Sequence, residues 1–554
     1  MSSKRAAVLL PILLVVVAGV IRLIQLDHPG RIFFDETYYV NDARWMLDHG
    51  VEEGFAVHPP VGKWLIAAGI KAFGDNPWGW RVPGVLAGSL VVLLTYLIAM
   101  RLLGWRGAAA LAGLLVAVDG LMFVQSRTSM LDVFLGFFVA LGAWLMLVDF
   151  ERSQLGADNG GRWRRPHPVP PPPVTFTRAV PAGGSSDARP VDDEREDAVE
   201  AGRPGVGVAT VEEEDPPPAQ GLGLRPVRGH LLRVLAGAAF GLALATKWSG
   251  IFALAAAGLL ALGWELAWRR RTTGRLRVGF GSLVGSLALA FVLVPTLVYL
   301  ASYLPWFANY AYTPEGGKVC AVDGRPQEPC DVPALSRVAG FFRYQGGIAS
   351  FHGNLEAEHS YRAPAYTWPV IGRPVVYYWE HCPEERAKGI PTPNEEGQLV
   401  PPPPCAVAEE NAAEILALGN PGVWWVALAS VVPLAIGAFR RDRRAWYIVT
   451  FWGVQFLPWL FVPRPLFFFY MVPVVPFLAL AIAYAVTWID EVAERRRQRR
   501  RRLLRSPRQT PGAVTGVFVA VVAASLFVYF YPIYSGLELH YDALHRRWWF
   551  DAWI

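Results

Sequence analysis

The chain has 554 residues, 53% of them hydrophobic, and a formal net charge of +6. A mean hydropathy of +0.29 is too high for one soluble domain. The basic residues fall in short runs between apolar blocks, so the charge marks positive-inside loops and does not signal nucleic acid.

The apolar blocks are near the ~20 residues that cross ~30 Å of hydrocarbon, which implies an all-α polytopic membrane protein. The first block, 6–26, follows Lys4 and Arg5. No small-residue cleavage site follows it, so it reads as an uncleaved anchor. Its end carries Arg22, either a snorkelling anchor or a functional cation.

Next comes RIFFDETYYV, which sets Asp35 and Glu36 just outside this span. The flanking IFF and TYY should hold the pair against the protein or the interface. A partly buried carboxylate has a raised pKa and can serve as a general base. Adjacent carboxylates rarely point the same way, so one should act and the other should orient or pair with a cation. HPPVGK follows, where two prolines aim His58 and Lys63; the competing reading is a rigid turn with the lysine at headgroup level.

Ten further spans are predicted at 82–102, 107–124, 130–149, 231–246, 250–268, 278–300, 421–439, 445–461, 467–488 and 512–531, eleven in all. Several cations sit at their outer ends. Arg81 starts the second span, Arg127 and Asp132 flank the turn SRTSMLD, Lys247 lies in ATKWSG and Arg464 in PRPLFFFY. One alone is an interface anchor. Several converging would form a phosphate site at the membrane surface.

RLLGWRG (101–107), WRRRTTGRLR (268–277), RRDRR (440–444) and ERRRQRRRRLLR (494–505) place those loops inside. The N-terminus is then cytoplasmic. The acidic pair, 301–420 and the tail from Pro532 face outward. Domains follow as 1–154, 155–228, 229–300, 301–420 and 421–554. Residues 155–228, with PVPPPPV and EEEDPPPAQ, lack apolar periodicity and read as a disordered cytoplasmic insertion.

The 301–420 segment mixes aromatics with prolines and should form a small folded external layer, partly on the bilayer. It holds all four cysteines, Cys320, Cys330, Cys382 and Cys405. An even count on the outer face points to two disulfides in an oxidising compartment. Three pairings exist; Cys320–Cys330 with Cys382–Cys405 closes the shortest loops. In FHGNLEAEHSY, His352, Glu356 and His359 suggest either a metal site or an interfacial polar turn, and the turn is favoured because H-E-x-x-H is not met.

Together RLIQLDHPGRIFFDETYYV, FAVHPPVGKWLIA, WRVPG, SRTSMLDVFLGFF, ATKWSG, EHSYRAPAYTWPVIGRPVVYYW and RPLFFFYMVPVVPF resemble the protein O-mannosyltransferase family. These are membrane glycosyltransferases of the GT-C class. The resemblance implies transfer of mannose, with inversion, from a polyprenyl-phosphate carrier to Ser or Thr of an unfolded or translocating polypeptide. It implies no nucleotide, and because the phosphate leaving group is already a weak base, no metal or other cofactor is expected. It gives Asp35 the catalytic position with Glu36 as partner, and matches Arg22 and Arg81 to basic positions the family needs. The β-trefoil insert of eukaryotic members is not expected here, which suggests the bacterial form in a plasma membrane. The secretion translocon is a further expected partner. The competing readings are a GT-C enzyme with a lipid or glycan acceptor, and a transporter. Transporters place charges at mid-membrane and often show internal repeats, whereas these charges fall at span ends.

Overall fold

The computed structural model describes residues 3–53, 57–155, 231–272, 280–322, 325–326, 331–356, 359–393, 398–500 and 510–554. The insertion expected at 155–228 lies outside them beyond Leu155.

Eight helices position the site. They are α1 (Ser3–Leu23), α2 (Glu36–His49), α3 (Val61–Phe73), α4 (Pro77–Leu103), α5 (Arg106–Ala117), α6 (Gly120–Ser126), α7 (Leu131–Leu155) and α8 (Leu231–Leu244). Local signals set their ends. Helix α2 stops at Gly50, whose φ of +77° suits glycine. Helix α4 starts with Pro77, and the Asn76 side chain accepts the Trp78 and Gly79 N–H groups at 3.0 and 3.2 Å. Helices α5 and α6 form one element bent by 59°. Asp119 sits at the bend, caps α6 through the Met122 N–H, and takes the Trp424 indole N–H at 2.8 Å. The bend is thereby tied to the C-terminal helices.

Among the described residues, seven helices are long and apolar enough to cross a membrane, or eight if the bent pair counts as one span. Eleven full-length spans were expected from the sequence. The other three predicted spans are helical too: α1 has 21 residues, with Val8–Leu23 its described apolar part, α8 has 14 described residues from Leu231, and Arg443–Phe456 has 14 before a 3₁₀ turn at Leu457–Phe461. Fourteen helical residues reach only about 21 Å. Apolar blocks in the sequence run on through 3₁₀ turns, as at Leu457–Phe461, so a run does not equal a straight span. The span Phe468–Arg497 is central and mostly buried, whereas Gly281–Ser302 is mostly exposed.

The layer expected from 301–420 is folded, but it is not all helical. Three antiparallel strands run in the order Val375–His381, Asn411–Ala417, Leu539–His540. The third comes from the C-terminal tail, so this layer crosses the expected domain boundary at 420. Register slips between Val376 and Tyr378, which leaves Tyr377 as a bulge. Cys382 and Cys405 are disulfide-bonded beside the first strand, as the short-loop pairing anticipates. Cys320 is also in a disulfide, and Cys330 lies outside the described residues.

Candidate active site

The two acidic neighbours have different environments. Glu36 opens α2 and is fully buried. Its oxygens take Arg81 Nε at 2.9 Å and Nη2 at 3.0 Å, and the Ser129 N–H at 3.0 Å. The rest of the Arg81 fork donates to the carbonyls of Leu26, Pro29 and Arg31 at 2.9, 2.9 and 3.0 Å. All five guanidinium N–H groups are thus committed. This pair fastens the loop before α2 to α4. Glu36 is thus the member of the acidic pair that joins a cation, as the sequence reading allows, while Arg81 has no N–H group left for the phosphate expected of it.

Asp35 occupies the N-cap position of α2, yet its side chain does not cap the helix. It is half-buried, and the Tyr39 hydroxyl donates to its Oδ2 at 3.4 Å. Burial raises its pKa to about 6; nearby Lys247 pulls the value down and Asp132 pushes it up. Such a group is ionised at neutral pH and remains basic enough to take a proton.

Lys247 follows α8 and Asp132 lies in the first turn of α7. Lys247 Nζ bonds both Asp132 oxygens, at 3.0 and 2.9 Å. The same ammonium lies 4.9 Å from the Tyr470 ring centre and 5.5 Å from that of Phe469. Arg464 is half-buried, its guanidinium 5.5 Å from the Tyr470 ring centre, with one hydrogen bond to the Tyr470 hydroxyl at 3.2 Å. Tyr470 therefore joins the two cations. Lys247 is largely offset by Asp132, whereas the Arg464 fork keeps donors for an anion.

Of the other expected cations, Lys63 and Arg127 are bonded within the protein, while two buried donors of Arg22, Nε and Nη2, have no hydrogen-bond partner among the described residues. Lys63 is buried on α3 and bonds Asp42 at 2.8 Å and Glu52 at 3.2 Å; Glu52 in turn accepts the Tyr344 hydroxyl. Arg127 donates to the carbonyls of Arg22, Ile24 and Gln25, closing the end of α1. Arg22 is fully buried and donates to Ala18 and Ala117. All three were candidate donor-binding residues.

His58 and His352 stack with ring centres 5.4 Å apart, and His352 bonds the Val57 carbonyl at 2.9 Å. Burial holds the His58 pKa well below its ordinary value, and Lys247, His352, Lys63 and Arg464 add to the effect. His58 is then neutral beside the cations. Glu356 is exposed, and His359 packs edge-on against Phe467. Among the described residues no group of three His, Cys, Asp or Glu side chains could hold a metal ion.

Sequence reasoning missed Tyr39, Tyr377 and Tyr470. Tyr39 was detectable, since position i+4 on α2 returns to Asp35. Tyr377 and Tyr470 reach the site only through the tertiary fold.

Two family models match the chain. Residues 337–553 match the C-terminal four-transmembrane region of protein O-mannosyltransferase, and 57–157 match dolichyl-phosphate-mannose–protein mannosyltransferase. The polyprenol-phosphate-mannose–protein mannosyltransferase of Mycolicibacterium smegmatis is 30% identical over 97% of this chain and 91% of its own. The Mycobacterium tuberculosis enzyme of the same name is 29% identical over 98% and 90%. The S. cerevisiae protein O-mannosyltransferase complex bound to the sugar donor has a TM-score of 0.68 at 13% identity, covering 99% of this chain and 92% of that one. At that identity the likeness is one of fold. Helices and site together define a multi-pass membrane glycosyltransferase of the GT-C class. The chain belongs to the polyprenol-phosphate-mannose–protein mannosyltransferase family.

Proposed function

We propose that the chain transfers mannose from a polyprenyl-phosphate carrier to Ser or Thr hydroxyls of exported polypeptides at the outer face of the cell membrane. The relatives' names give a polyprenol-phosphate-mannose donor and a protein acceptor, and the basic runs at 101–107, 268–277, 440–444 and 494–505, read as inner loops, support the outward placement of the site. The N-terminus is cytoplasmic and the C-terminus outside. The acceptor is an unfolded segment, delivered by the secretion machinery.

The mechanism is carried by one observation, a half-buried Asp35 with a pKa of about 6 beside a cationic aromatic cluster. The acceptor hydroxyl attacks the sugar C1 while Asp35 takes its proton. The C1–O bond to phosphate breaks, and configuration inverts. The departing phosphate is already a weak base, so cations suffice and no general acid is required. Arg464 is the principal phosphate ligand and Lys247 the second. Tyr39 holds Asp35, and Glu36 with Arg81 holds the loop that carries it. His58 and His352, kept neutral by burial, lend hydrogen-bonding capacity to the donor headgroup. Purified protein with polyprenyl-phosphate-mannose and a Ser/Thr peptide should give mannosylated peptide. Transfer to a lipid or glycan acceptor in place of peptide would defeat the reading.

A further inference from the structure

The residue before the proposed base has an unusual backbone. Phe34 has φ +51°, a left-handed conformation that aromatic side chains rarely adopt. Its carbonyl accepts the Thr37 N–H at 3.2 Å and also the Thr37 hydroxyl, so the bend runs directly into α2. Strain of this kind persists only where surrounding contacts over-determine it, and such residues cluster at functional sites.

The contacts that hold it come from far away in sequence. The Phe34 ring stacks on Tyr377, with centres 4.2 Å apart and planes 12° apart. Tyr377 is the bulged residue of its strand, buried, and its hydroxyl accepts a hydrogen bond from Gln125 on α6. Phe469 closes the cluster edge-on, 6.1 Å from Phe34 and 6.0 Å from Tyr377. A bulge re-aims a side chain, and here it directs a ring from the sheet to the residue next to Asp35.

We infer that Phe34 and Tyr377 are positioning residues for Asp35: their stacked rings lock the left-handed turn that points the carboxylate into the site. The clamp rests on the reading of Asp35 as the base. The stacked pair also keeps water from the carboxylate. The titratable and charged groups around Asp35 are Tyr39 on α2, Asp132 on α7 and Lys247 after α8, with Tyr377 on the sheet side. Opening the clamp therefore admits water and lowers the pH at which the base ionises.

The test uses full-length enzyme, polyprenyl-phosphate-mannose and a Ser/Thr peptide, with kcat, both KM values and pH profiles for Phe34→Gly, Phe34→Leu, Tyr377→Ala and Tyr377→Phe. Phe34→Gly accepts the left-handed backbone but removes the ring, so backbone comfort and stacking are separated. Misplacement by about 1 Å costs on the order of 10²-fold, so Phe34→Gly, Phe34→Leu and Tyr377→Ala should lower kcat by about 10–100-fold. Donor KM should stay within about twofold of wild type, on the same positioning logic. The acid limb of kcat should move to lower pH. Tyr377→Phe keeps the ring and should restore most of kcat. Should Tyr377→Ala fail to fold, the half-buried Phe34 variants decide the matter. Wild-type kcat with an unmoved acid limb in Phe34→Gly and Phe34→Leu would overturn the clamp. An active Asp35→Asn run in parallel would instead defeat the base reading, so the two failures are distinct.

Discussion

Glu36 and Arg81 form a two-point ion pair, at 2.9 and 3.0 Å, with neither side chain reaching solvent. The pair is isolated from chemistry because its hydrogen-bonding capacity is used up within the protein. Adjacent Asp35 is half-buried and takes a hydrogen bond from the Tyr39 hydroxyl. The division of labour between two neighbouring carboxylates thus follows from what each one touches.

That division gives the first prediction. Removing one partner of a buried pair leaves the other charge uncompensated, at a cost of about 3–5 kcal/mol. Glu36→Gln and Arg81→Gln should therefore lower the thermal midpoint and the yield of folded enzyme. Molecules that do fold should keep nearly wild-type donor KM. The checks are a thermal melt and a donor titration on the same sample. A selective rise in donor KM at unchanged stability would return Arg81 to the phosphate site.

Titration of Asp35 gives the second. Its carboxyl sits near pKa 6 in the folded protein, above the ordinary 3.8. As a base it works only when ionised, so kcat should fall about tenfold per pH unit below 6. Stability moves the other way. The folded state binds the proton more tightly than the unfolded state, so the charged carboxylate lowers stability once pH exceeds about 4, and fully above about 6. Asp35→Asn should thus raise the thermal midpoint slightly at pH 7 and lose that gain near pH 4. Thermal melts at the two pH values check the sign.

Arg464 supplies the third. It makes one hydrogen bond and is half-buried, so its loss should not unfold the protein. Arg464→Lys removes the planar fork, and a lost charge-assisted bond costs about 1.5–3 kcal/mol. Donor KM should rise at least roughly tenfold, with acceptor KM little changed. A donor titration at saturating peptide measures this. Unchanged donor dependence would make Arg464 an interface anchor.

The disulfide supplies the fourth. Cys382 and Cys405 are 23 residues apart and brace the strand that carries Tyr377. Closing such a loop stabilises by about 3 kcal/mol. Replacing both with serine should lower the thermal midpoint and reduce kcat more than donor KM. Non-reducing peptide mapping of the wild type should recover the Cys382–Cys405 link.

Much of this was legible in the chain. The acidic pair stood out because carboxylates seldom follow IFF at a membrane surface, and the ordered strings around it carried the family. The assignment of roles was not legible. Glu36 and Arg81 are 45 residues apart, and Lys247 and Asp132 are 115 apart. Each of those cations looked like an outer-end anchor in one dimension, and only the fold separates saturated Arg81 and Lys63 from available Arg464. The sheet was hidden for a similar reason: Val375–His381 finds its partners at 411–417, and the tail adds the last strand. Span ends were hard to read where apolar residues continue through a break, since hydropathy does not record where a helix ends.

The central claim is that Asp35 takes the acceptor proton. The most direct measurement is single-turnover transfer by Asp35→Asn, with polyprenyl-phosphate-mannose prebound and Ser/Thr peptide in excess. General-base catalysis supplies about 10²–10⁴-fold, so the rate should fall by at least about 10²-fold while donor affinity stays near wild type. A single-turnover rate close to wild type would contradict the assignment.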